Sequence, residues 1–284
     1  MTKTDHRQIE SQGGGQLITG VAGSAGGGLS YQLYLPATLN TSRPVLTAVH
    51  GISRNPQDWL ELFRPSADTH GVALLTPLFD ESGFGDFQRL GRHGRGQRAD
   101  HALIRVLDTL VVEHGIQPSM ALFGFSGGAQ FAHRFAMVHS SRVSSLVLGA
   151  AGWYTWPDSK TRFPYGTRPI SALPGVNFDL EKLLSIPIRV IVGSDDTIRD
   201  QTLNRNARID VTQGQTRRDR AENWVSTMRS LALAKNLPDR IDLQLLHGTG
   251  HSILDKGSDH LLRSLTCNWF FNSKKHSPSN GSPT

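Results

Sequence analysis

Short and almost continuously apolar runs alternate with longer amphipathic patterns from Tyr31 onward. The runs at 45–49, 120–125 and 188–193 contain few polar residues, as expected for strands that helices cover on both faces. Between such runs apolar residues recur at three- and four-residue spacing, most clearly over 99–114, which is typical of a helix with one apolar face. This alternation predicts an α/β protein with a mainly parallel central sheet and helices on both faces.

The length and composition limit the class of protein. At 284 residues the chain is long enough for one large α/β domain, and 37% hydrophobic with 19% charged residues is ordinary for a globular protein. No apolar run reaches the length that crosses a bilayer, and the polar N-terminus lacks the apolar segment of a signal peptide. A single cysteine, Cys267, cannot form an internal disulfide. We therefore expect a cytoplasmic protein that does not act at a membrane.

The positive charge alone does not predict a nucleic-acid partner. The formal net charge is +6 and the pI is about 9.8, and a basic face would bind phosphate. However, the basic residues are scattered and often stand beside acidic ones, as over 217–222, and they form no aromatic-interleaved stripe. We expect no nucleic-acid partner, and the oligomeric state is left open.

Several segments depart from the alternation. Residues 1–28 are rich in Gly and Ser and predict a flexible arm able to enter a first edge hairpin, ahead of the α/β domain at 29–272. Within the domain, 152–184 is rich in prolines and aromatic residues, and we interpret it as a lid-like insertion over the site. The Gly- and Arg-rich stretch 79–98 predicts a long loop, and the polar residues 273–284 predict a disordered tail.

The sharpest motif is Gly124-Phe125-Ser126-Gly127-Gly128, a G-x-S-x-G between an apolar run and a helical pattern. A nucleophile at a tight strand-to-helix corner takes a strained backbone geometry, and glycines on either side remove side chains that would collide. The corner also puts Ser126 at a helix N-terminus, where the amide of Gly127 can face a negative oxygen. A plain Gly-rich turn is the alternative, and the strand and helix flanks favour the nucleophile.

A serine hydroxyl needs a base that takes its proton and a third group that holds the base. Two downstream stretches offer these groups at the carboxyl ends of predicted strands, the edge where open α/β sheets build sites. The stretch IVGSDD contains Asp195 and Asp196, and the stretch LLHGTGH contains His247 and His251. The histidines could instead bind a metal at i, i+4 spacing, but the glycines between them disfavour a helix and no Glu accompanies them. We expect no metal.

The order of serine, aspartate and histidine is that of the α/β-hydrolases, and from Tyr31 to Phe270 the chain resembles these serine hydrolases. The run HGISRNPQDW followed by GFSGGAQFAHRFA is most similar to bacterial esterases related to polyhydroxybutyrate depolymerases and feruloyl esterases. The resemblance implies an α/β-hydrolase fold with the lid-like insertion after the sixth strand. It also implies Asp196 as the acid, with Asp195 as the alternative, and His251 in a Gly-x-Gly-His turn as the base.

The loop after the strand at 45–49 reads His-Gly-Ile-Ser and resembles the loop that supplies these hydrolases with a second oxyanion donor. On that match the amide of Ile52 joins that of Gly127. The implied reaction is cleavage of a carboxylic ester through an acyl-enzyme, without a cofactor. In the insertion Trp153, Tyr154 and Trp156 are the candidates for contact with the substrate, because aromatic residues supply most of the apolar wall of ligand sites. The alternative is that they pack in the core or in the lid.

The predicted partner is a small-molecule ester, either aromatic or anionic. An anionic group is a hypothesis based on a basic cluster in the 79–98 loop, where Arg92 and Arg95 could bind a carboxylate; a solvated loop is the alternative. The whole cluster comprises Arg89, Arg92, His93, Arg95 and Arg98. The sequence leaves two alternatives open: a non-catalytic binding protein on the same scaffold, and a hydrolase or acyltransferase that acts on amide, thioester or carbon–carbon bonds.

Overall fold

The computed structural model describes residues 8–12, 14–24, 27–252 and 259–271. The strands in these ranges are β1 (Gln8–Gln12), β2 (Gly15–Ser24), β3 (Gly27–Leu35), β4 (Val45–Val49), β5 (Leu74–Leu78), β6 (Met120–Phe125), β7 (Val143–Gly149), β8 (Ile188–Gly193) and β9 (Ile241–Leu246). They form one sheet in the order β1-β2-β3-β5-β4-β6-β7-β8-β9. The three apolar runs that most strongly predicted strands are β4, β6 and β8.

Six of these strands are mutually parallel, as predicted. They run in the order β5-β4-β6-β7-β8-β9, whereas β1, β2 and β3 form an antiparallel extension at one edge. The strand β5 pairs on one side of β4, and β6, the next strand in the chain, pairs on its other side. The direction in which the chain adds strands to the sheet therefore reverses between β4 and β6. In open α/β sheets a crevice forms at such a reversal, outside the carboxyl ends of the strands. The loops after β4 and β6 both lie there.

The N-terminal segment was expected to be able to enter an edge hairpin, and its strands β1 and β2 pair antiparallel at the edge of the sheet. Over 18–22, buried and exposed residues alternate, as they do along a strand with one covered face. Two of the glycines lie beneath tyrosine rings of β3: a Cβ added at Gly15 would lie 2.4 Å from the hydroxyl of Tyr34, and one at Gly20 would lie 2.7 Å from that of Tyr31. The glycines therefore make room for aromatic rings in the sheet, which composition alone does not reveal.

Helices cover both faces of the sheet, as predicted. They are α1 (Pro56–His70), α2 (Glu81–Phe84), α3 (Ala99–His114), α4 (Gly127–Val138), α5 (Leu180–Ser185), α6 (Ala207–Gln213), α7 (Arg217–Ala234) and α8 (Asp259–Phe271). The residues Trp59 of α1 and Leu262 of α8 belong to one apolar core, while Leu103, Phe131 and Trp224 of α3, α4 and α7 belong to the other. None of the helices in the described ranges is both long and apolar enough to span a bilayer.

The segment 152–184 is irregular until α5 begins. It follows the seventh strand, β7, whereas the sixth strand was predicted. Its first residues pack into the core. The ring of Tyr154 stacks on that of Trp224 with centroids 4.8 Å apart, and the indole N–H of Trp224 donates to the carbonyl of Thr155 at 3.3 Å. The start of the segment is therefore anchored against α7, and its role as a lid stays a prediction.

Candidate active site

Ser126 lies at the sharp corner between β6 and α4. Its φ of 52° and ψ of −111° are strained for a residue with a side chain, and its N–H donates to the carbonyl of Gly149 at 2.7 Å. The flanking glycines are required by close backbone contacts. A Cβ added at Gly124 would lie 2.3 Å from the carbonyl oxygen of Gly128, and one at Gly128 would lie 2.2 Å from that of Val49. The corner therefore has the geometry that the motif predicted.

The loop after β4 lies directly beside this corner. A Cβ added at Gly127 would lie 3.3 Å from the amide nitrogen of Ile52, and one at Gly51 would lie 3.5 Å from the Cβ of Ser126. As the first residue of α4, Gly127 carries an amide N–H for which the helix supplies no acceptor. The structure therefore brings the backbone of Ile52 and of Gly127, the two predicted oxyanion donors, next to Ser126.

His50 holds the loop after β4 in place. The ring is fully buried, and its Nε2 accepts the backbone N–H of Phe79 at 2.9 Å while Nδ1 lies 2.7 Å from the carbonyl of Gly51. Because a backbone N–H can only donate, Nε2 carries no proton and Nδ1–H donates to Gly51. Burial lowers the pKa of His50 to about 4, so the ring is neutral near pH 7. His50 is a support for the loop and does not reach the reacting groups.

Asp196 and His251 form the pair that was predicted for the acid and the base. Asp196 is buried just after β8, and its Oδ2 lies 3.0 Å from Nδ1 of His251. The imidazole is one-quarter exposed and stacks on Phe125, next to Ser126 in the chain. Binding of Nδ1 by the carboxylate leaves Nε2 as the nitrogen that can take a proton. The alternative acid, Asp195, is exposed and accepts from the hydroxyl of Ser194 at 2.8 Å.

The sequence did not identify Arg217, which contacts the acid from its other side. Nη1 of Arg217 lies 3.4 Å from Oδ1 of Asp196 and 2.8 Å from Oδ2 of Asp200, and the guanidinium is almost fully buried. The hydrogen bonds from Arg217 hold the pKa of Asp200 well below its usual range. Arg217 therefore ties Asp196 to the 199–205 loop, and no local pattern distinguishes this buried arginine from its partly exposed neighbour Arg218.

Two cavities meet at Ser126. The first, here called the His251 cavity, has a volume of about 350 Å³, and the second, the Arg89 cavity, has a volume of about 300 Å³. Both include Ile52, Ser126 and Thr202. The other residues of the His251 cavity are Gly51, Ser53, Asp58, Trp59, Phe125, His251 and Ser252. The other residues of the Arg89 cavity are Gln88, Arg89, Gln130, Gly152, Trp153, Gln201, Leu203, Asn204 and Arg217.

The three aromatic residues predicted to contact the substrate lie in different places. Trp153 lines the Arg89 cavity. Tyr154 is fully buried against α7, and its backbone exchanges two hydrogen bonds with the side chain of Gln213. Trp156 lines a separate cavity of about 80 Å³ beside Tyr165. The geometry therefore places only Trp153 of these three beside Ser126, because the chain turns into the core directly after it.

One group in the described residues brings three potential metal ligands within reach of one another: Asp100, His101 and His139. It lies at the far end of α4 from Ser126. Both carboxylate oxygens of Asp100 accept hydrogen bonds from Arg98, at 2.9 and 2.7 Å, and Nε2 of His139 lies 2.9 Å from one of them. Burial alone would raise the pKa of Asp100, but the bonds from His139 and Arg98 lower it to about 2. This group is therefore an ion-pair cluster, in which both oxygens of the Asp100 carboxylate are already bound by Arg98.

Comparisons with solved structures identify the fold. Poly(aspartic acid) hydrolase-1 from Sphingomonas sp. KT-1 is similar with a TM-score of 0.72 and 23% identity, over 94% of this chain and 98% of that one. The poly(3-hydroxybutyrate) depolymerase LpqC from Bordetella parapertussis is similar with a TM-score of 0.74 and 22% identity, over 94% and 90%. An S-formylglutathione hydrolase from Agrobacterium tumefaciens has a TM-score of 0.60 and 14% identity, over 94% and 96%.

No protein-family model and no curated protein matches the chain. The likeness to the solved structures, together with the mainly parallel sheet, shows that the chain has the α/β-hydrolase fold that its motifs predicted.

Proposed function

We propose that this protein is a serine hydrolase that cleaves carboxylic esters through an acyl-enzyme. The observation that carries the proposal is the pair of His251 and Asp196, 3.0 Å apart, in the same cavity wall as Ser126. Ser126 on its strained corner and the His251–Asp196 pair come from three separate segments, after β6, β8 and β9, at one edge of the sheet. A binding protein on this scaffold has no need of that combination. The names of the three similar structures, all hydrolases, also support an enzyme that cleaves bonds with water.

In the first stage Nε2 of His251 takes the hydroxyl proton of Ser126 as Oγ attacks the ester carbonyl. The carbonyl oxygen becomes negative and is bound by the amides of Ile52 and Gly127, each worth about 3 kcal/mol in the transition state. Asp196 keeps the imidazole in its tautomer and stabilises its charged form. The imidazolium then gives its proton to the leaving alcohol, whose bond to the acyl carbon breaks.

In the second stage the same imidazole removes a proton from water, which attacks the acyl-enzyme. The bond from the acyl carbon to Oγ of Ser126 breaks, and His251 returns the proton to that oxygen. The products are the carboxylic acid and the free serine. Each step uses only side chains and backbone amides of the site described above.

The proposal is tested with p-nitrophenyl acetate and p-nitrophenyl butyrate. We expect Ser126→Ala to lower kcat/KM by at least about 10³-fold, because the variant lacks the hydroxyl that forms the acyl-enzyme in the proposed mechanism. Ser185→Ala, which removes an exposed hydroxyl on α5, serves as the matched control and should keep wild-type rates. A fluorophosphonate adduct on the peptide that contains Ser126 would support the assignment. Equal turnover by the wild type and Ser126→Ala would refute it.

A further inference from the structure

The two cavities beside Ser126 differ in chemistry. The His251 cavity presents the rings of Trp59, Phe125 and His251 together with small polar groups. The Arg89 cavity is lined mainly by amide and guanidinium side chains, and its aromatic contribution is Trp153. The side-chain carbonyl of Gln130 in this wall is buried and has no hydrogen-bond partner among the described residues. An alkyl chain would leave such groups without partners, so this cavity suits a polar ligand.

The proposed reaction, on which this inference rests, decides which half of an ester each cavity receives. The imidazolium of His251 must give its proton to the leaving oxygen, so the leaving alcohol lies on the side of His251. The Arg89 cavity shares Ser126 and Ile52 with the first cavity but is not lined by His251. It therefore receives the acyl half.

A group of arginines that includes Arg89 lies beside the Arg89 cavity and carries excess positive charge. Asp86 is buried and is shared by two guanidiniums: its Oδ1 lies 3.1 Å from Nη1 of Arg89, and its Oδ2 lies 2.7 Å from Nε of Arg92. A third guanidinium, that of the fully buried Arg134, lies 4.3 Å from the ring centre of Trp153. Arg217, which also lines the cavity, is already paired with the carboxylates of Asp196 and Asp200. By contrast, the group of Arg89, Arg92 and Arg134 contains one carboxylate, that of Asp86. Their uncompensated charge favours an anion in the cavity beside them.

Arg89 is the member of this group that can reach a ligand. Its side chain is 28% exposed and makes one hydrogen bond to Asp86 through Nη1, so most of its five N–H groups are left for other acceptors. It lines the cavity and lies 5.7 Å from the ring centre of Trp153, whereas Arg92 is held by Asp86 through two side-chain bonds. Arg95 is exposed in the same loop.

We propose that the enzyme prefers esters whose acyl group ends in a carboxylate, and that Arg89 binds this carboxylate. A guanidinium recognises a carboxylate through paired hydrogen bonds, and Trp153 offers an apolar surface for the methylenes between the two carbonyl carbons. The cavity volume of about 300 Å³ suits a short dicarboxylic half-ester. The anion site that the sequence assigned to Arg92 and Arg95 is thereby assigned to Arg89.

The test compares two substrates of equal chain length, p-nitrophenyl pentanoate and mono-p-nitrophenyl glutarate, which differ by a terminal methyl or carboxylate. The measured quantity is the ratio of kcat/KM for the glutarate to that for the pentanoate, after subtraction of the rate without enzyme. We expect Arg89→Gln to lower this ratio about tenfold, mainly through KM, because a charge-assisted pair is lost. Arg89→Lys should retain part of the preference because it keeps the charge.

Arg95→Gln is the matched control, since it removes an exposed arginine from the same loop and should leave the ratio at the wild-type value. A partly unfolded variant lowers both rates together and leaves the ratio unchanged, so the ratio reports recognition alone. If Arg89→Gln keeps the wild-type ratio while Ser126→Ala is inactive, the inference is overturned and the proposed function stands. If Ser126→Ala remains active, the proposed function itself fails.

Discussion

The buried histidine beneath the oxyanion loop makes the stability of the fold depend on pH. His50 is neutral and fully buried, with both ring nitrogens bonded to backbone groups, and burial lowers its pKa to about 4 from the ordinary 6.5. As the pH falls below about 6.5, the unfolded chain binds a proton on this histidine and the folded protein does not. The contribution of His50 to stability is therefore complete above pH 6.5 and is lost as the pH falls towards 4.

The magnitude follows from this one proton. A proton held only by the unfolded state lowers the free energy of unfolding by about 1.4 kcal/mol per pH unit. Between about pH 7.5 and about pH 5 the loss due to His50 is therefore about 2 kcal/mol. In His50→Gln the side-chain carbonyl can still accept the N–H of Phe79 but does not titrate. The variant should be less stable than the wild type at pH 7.5, and its stability should fall less on acidification.

The assay is urea unfolding followed by tryptophan fluorescence at the two pH values, for the wild type, His50→Gln and His247→Gln. The last variant changes an exposed histidine and should show the wild-type pH dependence. Burial also lowers the pKa of His133, but this residue is present in all three proteins, so its effect cancels in the comparison. If His50→Gln loses as much stability as the wild type between the two pH values, the buried neutral histidine is not the cause.

Two further predictions concern the acid and the corner. Asp196→Asn should lower kcat/KM for p-nitrophenyl butyrate by about 10⁴-fold, because Asp196 holds the imidazole of His251. Asp195→Asn should stay within about threefold of the wild type. A similar loss in both variants would contradict the assignment of the acid. Gly128→Ala should lower the free energy of unfolding by about 2 kcal/mol or more in thermal melts, because its Cβ would lie 2.2 Å from the carbonyl of Val49. Gly250→Ala, with open space around the added carbon, is the control, and equal melting of the two would refute the clash.

Local sequence predicted the corner around Ser126 well. Its geometry depends on a strand, a helix and the glycines at 124 and 128, which are all within a few residues of one another. The backbone contacts that require those glycines form as soon as the strand and the helix form. The chain order of serine, aspartate and histidine predicted that His251 and Asp196 would meet, and their side chains are 3.0 Å apart, because each follows a strand whose apolar character is evident. Parallel strands bring their carboxyl ends to one edge, so positions after strands suffice to predict proximity.

The residues that give the site its charge could not be predicted in this way. Arg217 lies near Asp196 and Asp200 because α7 packs against β8, and Arg89 lines the Arg89 cavity because a short turn folds over the start of α4. Arg92, three residues away, is instead held by Asp86.

The sequence by itself therefore determined the α/β class, the strained corner and the candidate triad, since these follow from periodicity and from residues that are neighbours in the chain. Only the tertiary structure decided which glycines lie under tyrosine rings, which aromatic residue of the insertion reaches the site and which arginine remains available for a ligand. The physical reason is that burial and charge pairing depend on how separate elements pack, as where Arg217 of α7 meets Asp196 after β8. Even nearby groups differ, since Asp86 accepts two side-chain hydrogen bonds from Arg92 and one from Arg89.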